Sequence, residues 1–440
     1  MYSRGGAANR SVSFCQGQSA RRLLQGGEGQ KCKRANAGPS LRRGTVDARQ
    51  EKGSSGAVRL NPLLEQLPTY PTVVLDRLRD QLRAEGKPVY DFGTGDPTEP
   101  TPTFIREAFL ASLPENCRYP TVRGDATVRK AFAAYLQRRF GVKLDPERQI
   151  LPTSGSKELI FHLPLLVIDP SAPDRTIVFP DPGYSVYHRG AVLCGAEPYA
   201  QRLHGDFKQR VWELPEELLR RTRLLWINSP HNPSGAVLSR DDLQRTYEVC
   251  RRYDILLASD ECYADVWFDS PPTSILEVAT EGVLAIFSLS KRSGMTGYRT
   301  GMVAGDATVM ARLHQLRTNP GLAPQDFVNA AATAAWSDDA HAEERRHIFA
   351  RKREILMAFL KEAGIEVVGS EAGFYLWLRV PPGKGSGADW ARELLQVGIL
   401  SNPGAAFAVT DAANDYIRLA LVPDEAGCQA AVDAWRRHQG

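Results

Sequence analysis

Between residues 176 and 305 the chain alternates short apolar runs with helix-length stretches, and this alternation narrows the fold more than any other feature. The runs are Thr176–Phe179, Leu224–Asn228, Ile255–Asp260, Leu284–Phe287 and Gly301–Gly305, with helical segments such as Ser239–Tyr253 between them. Short apolar runs bounded by turn residues read as buried strands. Strands alternating with helices predict an α/β fold with a mostly parallel sheet covered by helices on both faces. In such sheets ligands gather beyond the carboxyl ends of the strands. Four successive strand ends carry the chemistry-bearing residues: Pro180-Asp-Pro-Gly-Tyr184, then Asn228-Ser-Pro-His-Asn232, then Asp260-Glu-Cys-Tyr263, then Ser288 with Lys291. A random scatter of polar residues does not coincide with four consecutive strand ends.

Lys291 is the sharpest of these. It lies just past an apolar run, in Phe287-Ser-Leu-Ser-Lys-Arg-Ser-Gly-Met-Thr-Gly-Tyr-Arg-Thr-Gly301. A lysine at the mouth of a buried strand loses solvation, which lowers its pKa and frees the amine to attack a carbonyl. Such a lysine can form a Schiff base, whereas the plainer reading is a polar loop after a strand.

The flanking sequence is regular. Asn61-Pro-Leu-Leu-Glu-Gln-Leu-Pro-Thr-Tyr-Pro reads as an apolar arm and Val73–Glu85 as a helix. Val89–Phe92 reads as a short strand running into Gly93-Thr-Gly-Asp-Pro-Thr. That loop lacks the third glycine and the helix of a dinucleotide fingerprint, which excludes that reading. Helices are expected over Pro102–Leu113 and from Ala126, the latter with a stripe at Val128, Phe132 and Leu136. Ile150-Leu-Pro-Thr-Ser-Gly-Ser-Lys is a strand, a tight turn and a helix start, where backbone amides suit an anion. Beyond Asp306 come helices over Asp306–Leu316, Asp326–Ala335 and Ala340–Ala363. Strands at Ile365–Val368, Phe374–Val380, Leu400–Ser401 and Tyr416–Leu421 and a closing helix Asp424–Arg437 complete a smaller α+β unit.

Taken in this order, the motifs resemble those of the class I and II aminotransferases that use pyridoxal 5′-phosphate (PLP), of the fold type I seen in aspartate aminotransferase. The resemblance covers nearly all of residues 58–440. It implies a large PLP-binding domain over 96–318, with a mostly parallel seven-stranded sheet flanked by helices. It also implies an arm with part of the small domain over 58–95 and a smaller C-terminal α+β domain over 319–440. Lys291 then holds the cofactor and moves the proton, and Asp260 keeps the pyridine nitrogen protonated. An ion pair near 4 Å at an effective dielectric of 20 is worth about 4 kcal/mol, or roughly three pKa units. The bland alternative for Asp260 is a helix cap. By the same resemblance Asn232 and Tyr263 donate to the cofactor's phenolate oxygen, and Tyr184 stacks on its ring. The phosphate falls to Gly155, Ser156, Lys157, Ser288 and Arg299. Tyr119 reaches a neighbouring subunit's phosphate, the competing reading being a buried core tyrosine. Arg418, with Asn232 and with Gly93, Thr94 or Gly95 of the glycine loop (Gly95 being taken first), binds the substrate carboxylate; the plainer readings are an exposed strand arginine and a plain turn. Arg292 and Arg123 are candidates for a second acidic group on the substrate.

The Ser-Leu-Ser-Lys-Arg-Ser string, the arm and Gly-Ser-Lys-Glu-Leu-Ile-Phe-His-Leu-Pro most resemble the N-succinyl-diaminopimelate branch of the family. This implies an amino group exchanged between N-succinyl-LL-diaminopimelate and 2-oxoglutarate in lysine biosynthesis. Unsuccinylated LL-diaminopimelate, aspartate and alanine are the sister substrates. From other classes, a PLP-dependent β-lyase and a non-catalytic regulator remain alternatives. The chain shows no helix-turn-helix segment or basic N-terminal domain that would serve a regulator as a partner module.

Composition bounds what is left. The 440 residues are 42% hydrophobic and 24% charged, an ordinary globular composition, and a net charge of +4 is too mild to imply nucleic acid. No apolar run reaches membrane-spanning length. Seven cysteines without a C-x-x-C pair suggest free thiols in a reducing, cytoplasmic compartment. No metal-ligand spacing stands out; His341 and His347 sit in a charged helical stretch. Residues 1–57 differ in kind, rich in Arg, Ser, Gly and Gln. They are expected to be a disordered or non-native extension, read either as an organelle transit peptide or as the product of start-site choice with Val58 as the true beginning. The family resemblance implies a homodimer with shared active sites.

Overall fold

The computed structural model describes residues 58–67 and 70–439, so the expectation for residues 1–57 lies outside the described residues. The elements below belong to one unit, Leu60–Gly440. Its largest sheet has seven strands in the order Ile150–Thr153, Gly301–Gly305, Val283–Ser288, Leu256–Asp260, Thr222–Asn228, Thr176–Asp181, Glu197–Arg202. All neighbours pair parallel except Gly301–Gly305, which runs antiparallel to both its neighbours. This is the expected α/β architecture.

Period-two alternation explains how each strand serves two cores. Ala285 and Phe287 face one cluster, with Phe132, Tyr135 and Trp336, and Leu284 and Ile286 face another, with Trp226 and Tyr187. Both faces are buried, so the strand reads as a continuous apolar run. Helix ends are written locally. Asp125 caps Ala126–Phe140 by accepting from the Thr127 amide, and Gly141 ends that helix at φ 70°. Ser239 and Asp242 form a reciprocal capping box on Arg240–Arg252.

A second sheet of four strands has the order Asn402–Pro403, Tyr416–Ala420, Tyr375–Arg379, Val367–Gly369, all antiparallel. It packs with Ala340–Glu362 and Glu425–Gln439 around Phe349, Phe374, Leu376 and Trp435. The short strand Tyr90–Asp91 pairs in parallel with Ile399–Leu400.

Two expectations shift. Strand Glu197–Arg202 was not foreseen, because this edge strand is largely solvated and carries no apolar run. The strand expected at Leu224 begins at Thr222, whose buried hydroxyl donates to the Leu218 carbonyl at 2.8 Å. Among the described residues no helix is long and apolar enough to cross a membrane. Nor does any group of three or more His, Cys, Asp or Glu gather to hold a metal there.

Candidate active site

The strand ends expected to carry the chemistry lie side by side. Asn228 pairs in register with Asp260, and Asp260 with Ile286, so the loops after these strands open into one space. A cavity of about 640 Å³ forms there, reaching also to the loop Gly93–Asp96 and to Arg418.

Lys291 stands on a single turn, Leu289–Arg292, capped by Ser288, whose hydroxyl accepts from the Ser290 amide at 3.1 Å. Its ammonium donates to the Gly95 carbonyl and lies 5.3 Å from the centre of the Phe374 ring. Burial lowers its pKa to about 8; Asp96 opposes this and Arg418 adds to it.

Asp260 is buried at the end of its strand. One carboxylate oxygen accepts from the Tyr187 hydroxyl at 2.7 Å and the other from the Cys262 amide at 3.2 Å. Burial raises its pKa, and these two donors pull it back. Asp260 does not cap a helix, so the bland alternative fails: its strand is followed by a turn at 262–265.

Arg418 is 5% exposed, not the exposed strand arginine of the plainer reading. Its guanidinium donates to Asn232 Oδ1 at 2.9 Å and to the Gly93 carbonyl at 3.0 Å, while Nε has no hydrogen-bond partner. Tyr375 and Phe407 hold it between their rings, at 4.3 and 4.4 Å from the two centres. Burial pushes its pKa down, and no carboxylate counters this.

Among the described residues neither Asp260 nor Arg418 forms an ion pair. Two buried ionisable groups of opposite sign thus face one cavity with no ion-pair partner among the described residues, an arrangement that costs free energy unless a ligand completes it. The ligand must bring a cation to Asp260 and an anion to Arg418. PLP with an amino-acid substrate carries both, along with a carbonyl for the Lys291 amine. The rest of the donor set fits the phosphate. Gly155 takes φ 81°, and a side-chain carbon there would collide with the Arg299 guanidinium. Arg299 itself adopts φ 52° and donates to the Thr296 carbonyl at 2.9 Å. Ser156, Lys157 and Ser288 line the same cavity.

The remaining expected residues are placed as follows. Asn232 and Tyr184 line the cavity, as does Tyr263, whose hydroxyl lies 2.9 Å from that of Tyr375. The Lys157 ammonium sits 4.0 Å from the centre of the Tyr70 ring. Tyr119 is fully exposed and lies outside the cavity, so it is not the core tyrosine of the competing reading.

Two expectations are corrected. Arg292 does not face the substrate space. It is buried in ion pairs with Asp265 and Asp339, both at 2.7 Å, because the next residue on a helix points about 100° away from Lys291. Arg123 is tied to Glu147 at 3.0 Å and is also outside the cavity. Sequence reasoning missed Tyr70, Tyr187, Tyr375 and Phe407. For Tyr187 a partial signal existed: it lies three residues after Tyr184, in the first turn of the helix Val186–Leu193. The others come from segments distant in sequence.

Comparison with known proteins agrees with this geometry. The family "Aminotransferase class I and II" matches residues 87–434. The LL-diaminopimelate aminotransferase of Aquifex aeolicus is 34% identical over 377 residues, covering 84% of this chain and 96% of that protein. The crystal structure of an aminotransferase from Neisseria meningitidis superimposes with a TM-score of 0.79 at 34% identity, covering 86% of this chain and 100% of the other. The probable N-succinyldiaminopimelate aminotransferase of Thermus thermophilus shares the fold, with a TM-score of 0.77 at 24% identity over 83% of this chain and 99% of that one.

Proposed function

The chain belongs to the class I and II aminotransferases, which use PLP, and on that premise we propose that it moves an amino group between LL-diaminopimelate and 2-oxoglutarate. The observation that carries the transaminase reading is the pair of uncompensated buried charges, Asp260 and Arg418, in the cavity that holds Lys291. Support for the substrate comes from relatives that are LL-diaminopimelate aminotransferases at 33–35% identity. The succinylated diamine expected from the sequence has less support, since the likeness at 24% identity speaks for the fold alone.

When bound, PLP supplies an electron-accepting ring. The chain does the rest. Lys291, deprotonated more readily than an ordinary lysine, would hold the cofactor through its amine and, once freed, would serve as the base of the site. Asp260, at the end of its strand, would hold positive charge in the cavity. Its Tyr187 hydrogen bond fixes the carboxylate plane. Arg418 takes the substrate α-carboxylate in a bidentate grip. Asn232, bonded to Arg418 through its oxygen, keeps its amide protons for the cavity. Tyr184 offers a ring face, and Gly155, Ser156, Lys157, Ser288 and Arg299 offer donors for a dianion.

The test is a half-reaction screen on PLP-loaded protein with glutamate, LL-diaminopimelate, N-succinyl-LL-diaminopimelate, aspartate and alanine. Conversion of the cofactor's absorbance by glutamate and the free diamine supports the proposal. Conversion by the succinylated diamine but not the free one would restore the earlier expectation, and no conversion by any of them would sink the transaminase reading.

A further inference from the structure

Tyr375 does not belong to any strand end of the large sheet, yet it touches three parts of the site. It pairs with Ala420 across the antiparallel ladder, which sets Arg418 diagonally beside it on the same face of the small sheet. Its ring therefore lies 4.3 Å from the Arg418 guanidinium carbon. Its hydroxyl lies 2.9 Å from the Tyr263 hydroxyl. It also approaches Gly95, whose carbonyl holds Lys291: a side-chain carbon on Gly95 would stand 3.4 Å from the Tyr375 oxygen. The residue is 2% exposed, and it lines the cavity.

A buried hydroxyl in this position has few roles open to it. The two tyrosines share one hydrogen bond but own two protons, so one proton is left for the cavity. The Tyr375 ring is committed to the guanidinium of the carboxylate site, and its hydroxyl is committed to the tyrosine facing the cofactor space. We infer that Tyr375 is a positioning residue that donates its hydroxyl proton to Tyr263 and so links the Arg418 carboxylate site to the cofactor side of the cavity. With its oxygen occupied by Tyr375, Tyr263 points its own proton into the cavity and is the stronger donor for it, because hydrogen bonds in series polarise one another. The ionisable groups around the two hydroxyls are Arg418 from the small sheet and Asp260 and Cys262 from the strand end. This inference rests on the proposed placement of the cofactor beside Tyr263 and Lys291.

The experiment is a double-mutant cycle on PLP-loaded protein with Tyr375→Phe, Tyr263→Phe and the double variant, read by pH titration of the cofactor's visible absorbance and by thermal midpoint. A donor to the cofactor's oxygen holds the titration midpoint down. Tyr263→Phe is expected to raise it by about one pH unit. Tyr375→Phe is expected to raise it by about 0.3 unit, the share that cooperativity adds to a charge-assisted bond. In the Tyr263→Phe background the Tyr375→Phe shift is expected to vanish, with thermal midpoints unchanged. A Tyr375→Phe protein with the parental titration, or one whose shift persists without the Tyr263 hydroxyl, overturns the link. So does a collapsed thermal midpoint, which would mark the hydroxyl as a folding contact. A parental protein whose absorbance does not titrate at all would instead refute the placement of the cofactor on Lys291.

Discussion

The Tyr187 hydroxyl donates to Asp260 Oδ2 at 2.7 Å, and the Tyr187 ring stacks on Trp226 at 5.1 Å between centres, 21° from parallel. The stack immobilises the donor, and the donor orients a carboxylate that has no ion-pair partner among the described residues. Tyr187→Phe keeps the stack and removes the donor. A hydrogen bond to a charged group is worth about 1.5–3 kcal/mol, so turnover is expected to fall roughly 10- to 100-fold with the fold intact. Steady-state kinetics beside a thermal melt check this.

Lys291→Ala should abolish transamination and leave PLP loosely held. The comparison to make is turnover against cofactor retained after gel filtration; substantial residual turnover would refute the lysine's role.

Asp260→Asn removes the negative charge while preserving size. With an ion pair of about 4 kcal/mol at stake, the rate is expected to drop about a thousandfold with cofactor still present. A near-parental rate would show that another group charges the ring.

The Lys291 pKa of about 8 has a sign that can be followed. Folding lowers this pKa, so the charged amine destabilises the fold below pH 8, where it is protonated in both states. That cost fades as pH rises from 8 toward 10.5, where the unfolded chain also loses the proton. At neutral pH the site holds about 300-fold more neutral amine than an ordinary lysine would. The rate of PLP uptake by the apoprotein is therefore expected to rise with a midpoint near pH 8, as followed by stopped-flow absorbance. A midpoint near 10 would show that burial does not tune this amine.

Arg418→Leu removes a buried guanidinium that no carboxylate among the described residues neutralises. KM for every carboxylate substrate is expected to rise about 100-fold, the worth of a bidentate charged pair. The unliganded variant should melt no lower than the parent, since a buried unpaired charge costs stability. A parallel test concerns Tyr119: if its exposed side chain serves a neighbouring subunit, activity should sediment as a dimer, and an active monomer would contradict the shared site.

The large sheet, apart from its solvated edge strand Glu197–Arg202, was legible in the sequence because its inner strands are buried on both faces and so stand out as unbroken apolar runs. The residues at their ends, Tyr184, Asn232, Asp260, Tyr263 and Lys291, were legible because chain order alone brings successive parallel strand ends together. The reversed direction of Gly301–Gly305 was not legible, since a strand's apolar run looks the same in either direction. Arg292 was misplaced because adjacency in sequence says nothing about which way a helical turn aims a side chain. Tyr375 and Phe407 enter the site only through the small sheet and its neighbouring loop, and their partner Arg418 is 43 and 11 residues away in the chain. Sequence determined which groups carry charge and which segments seek burial. Only the packed structure decided that Asp260 and Arg418 face one cavity without neutralising each other, because their separation depends on two sheets folding against a shared space.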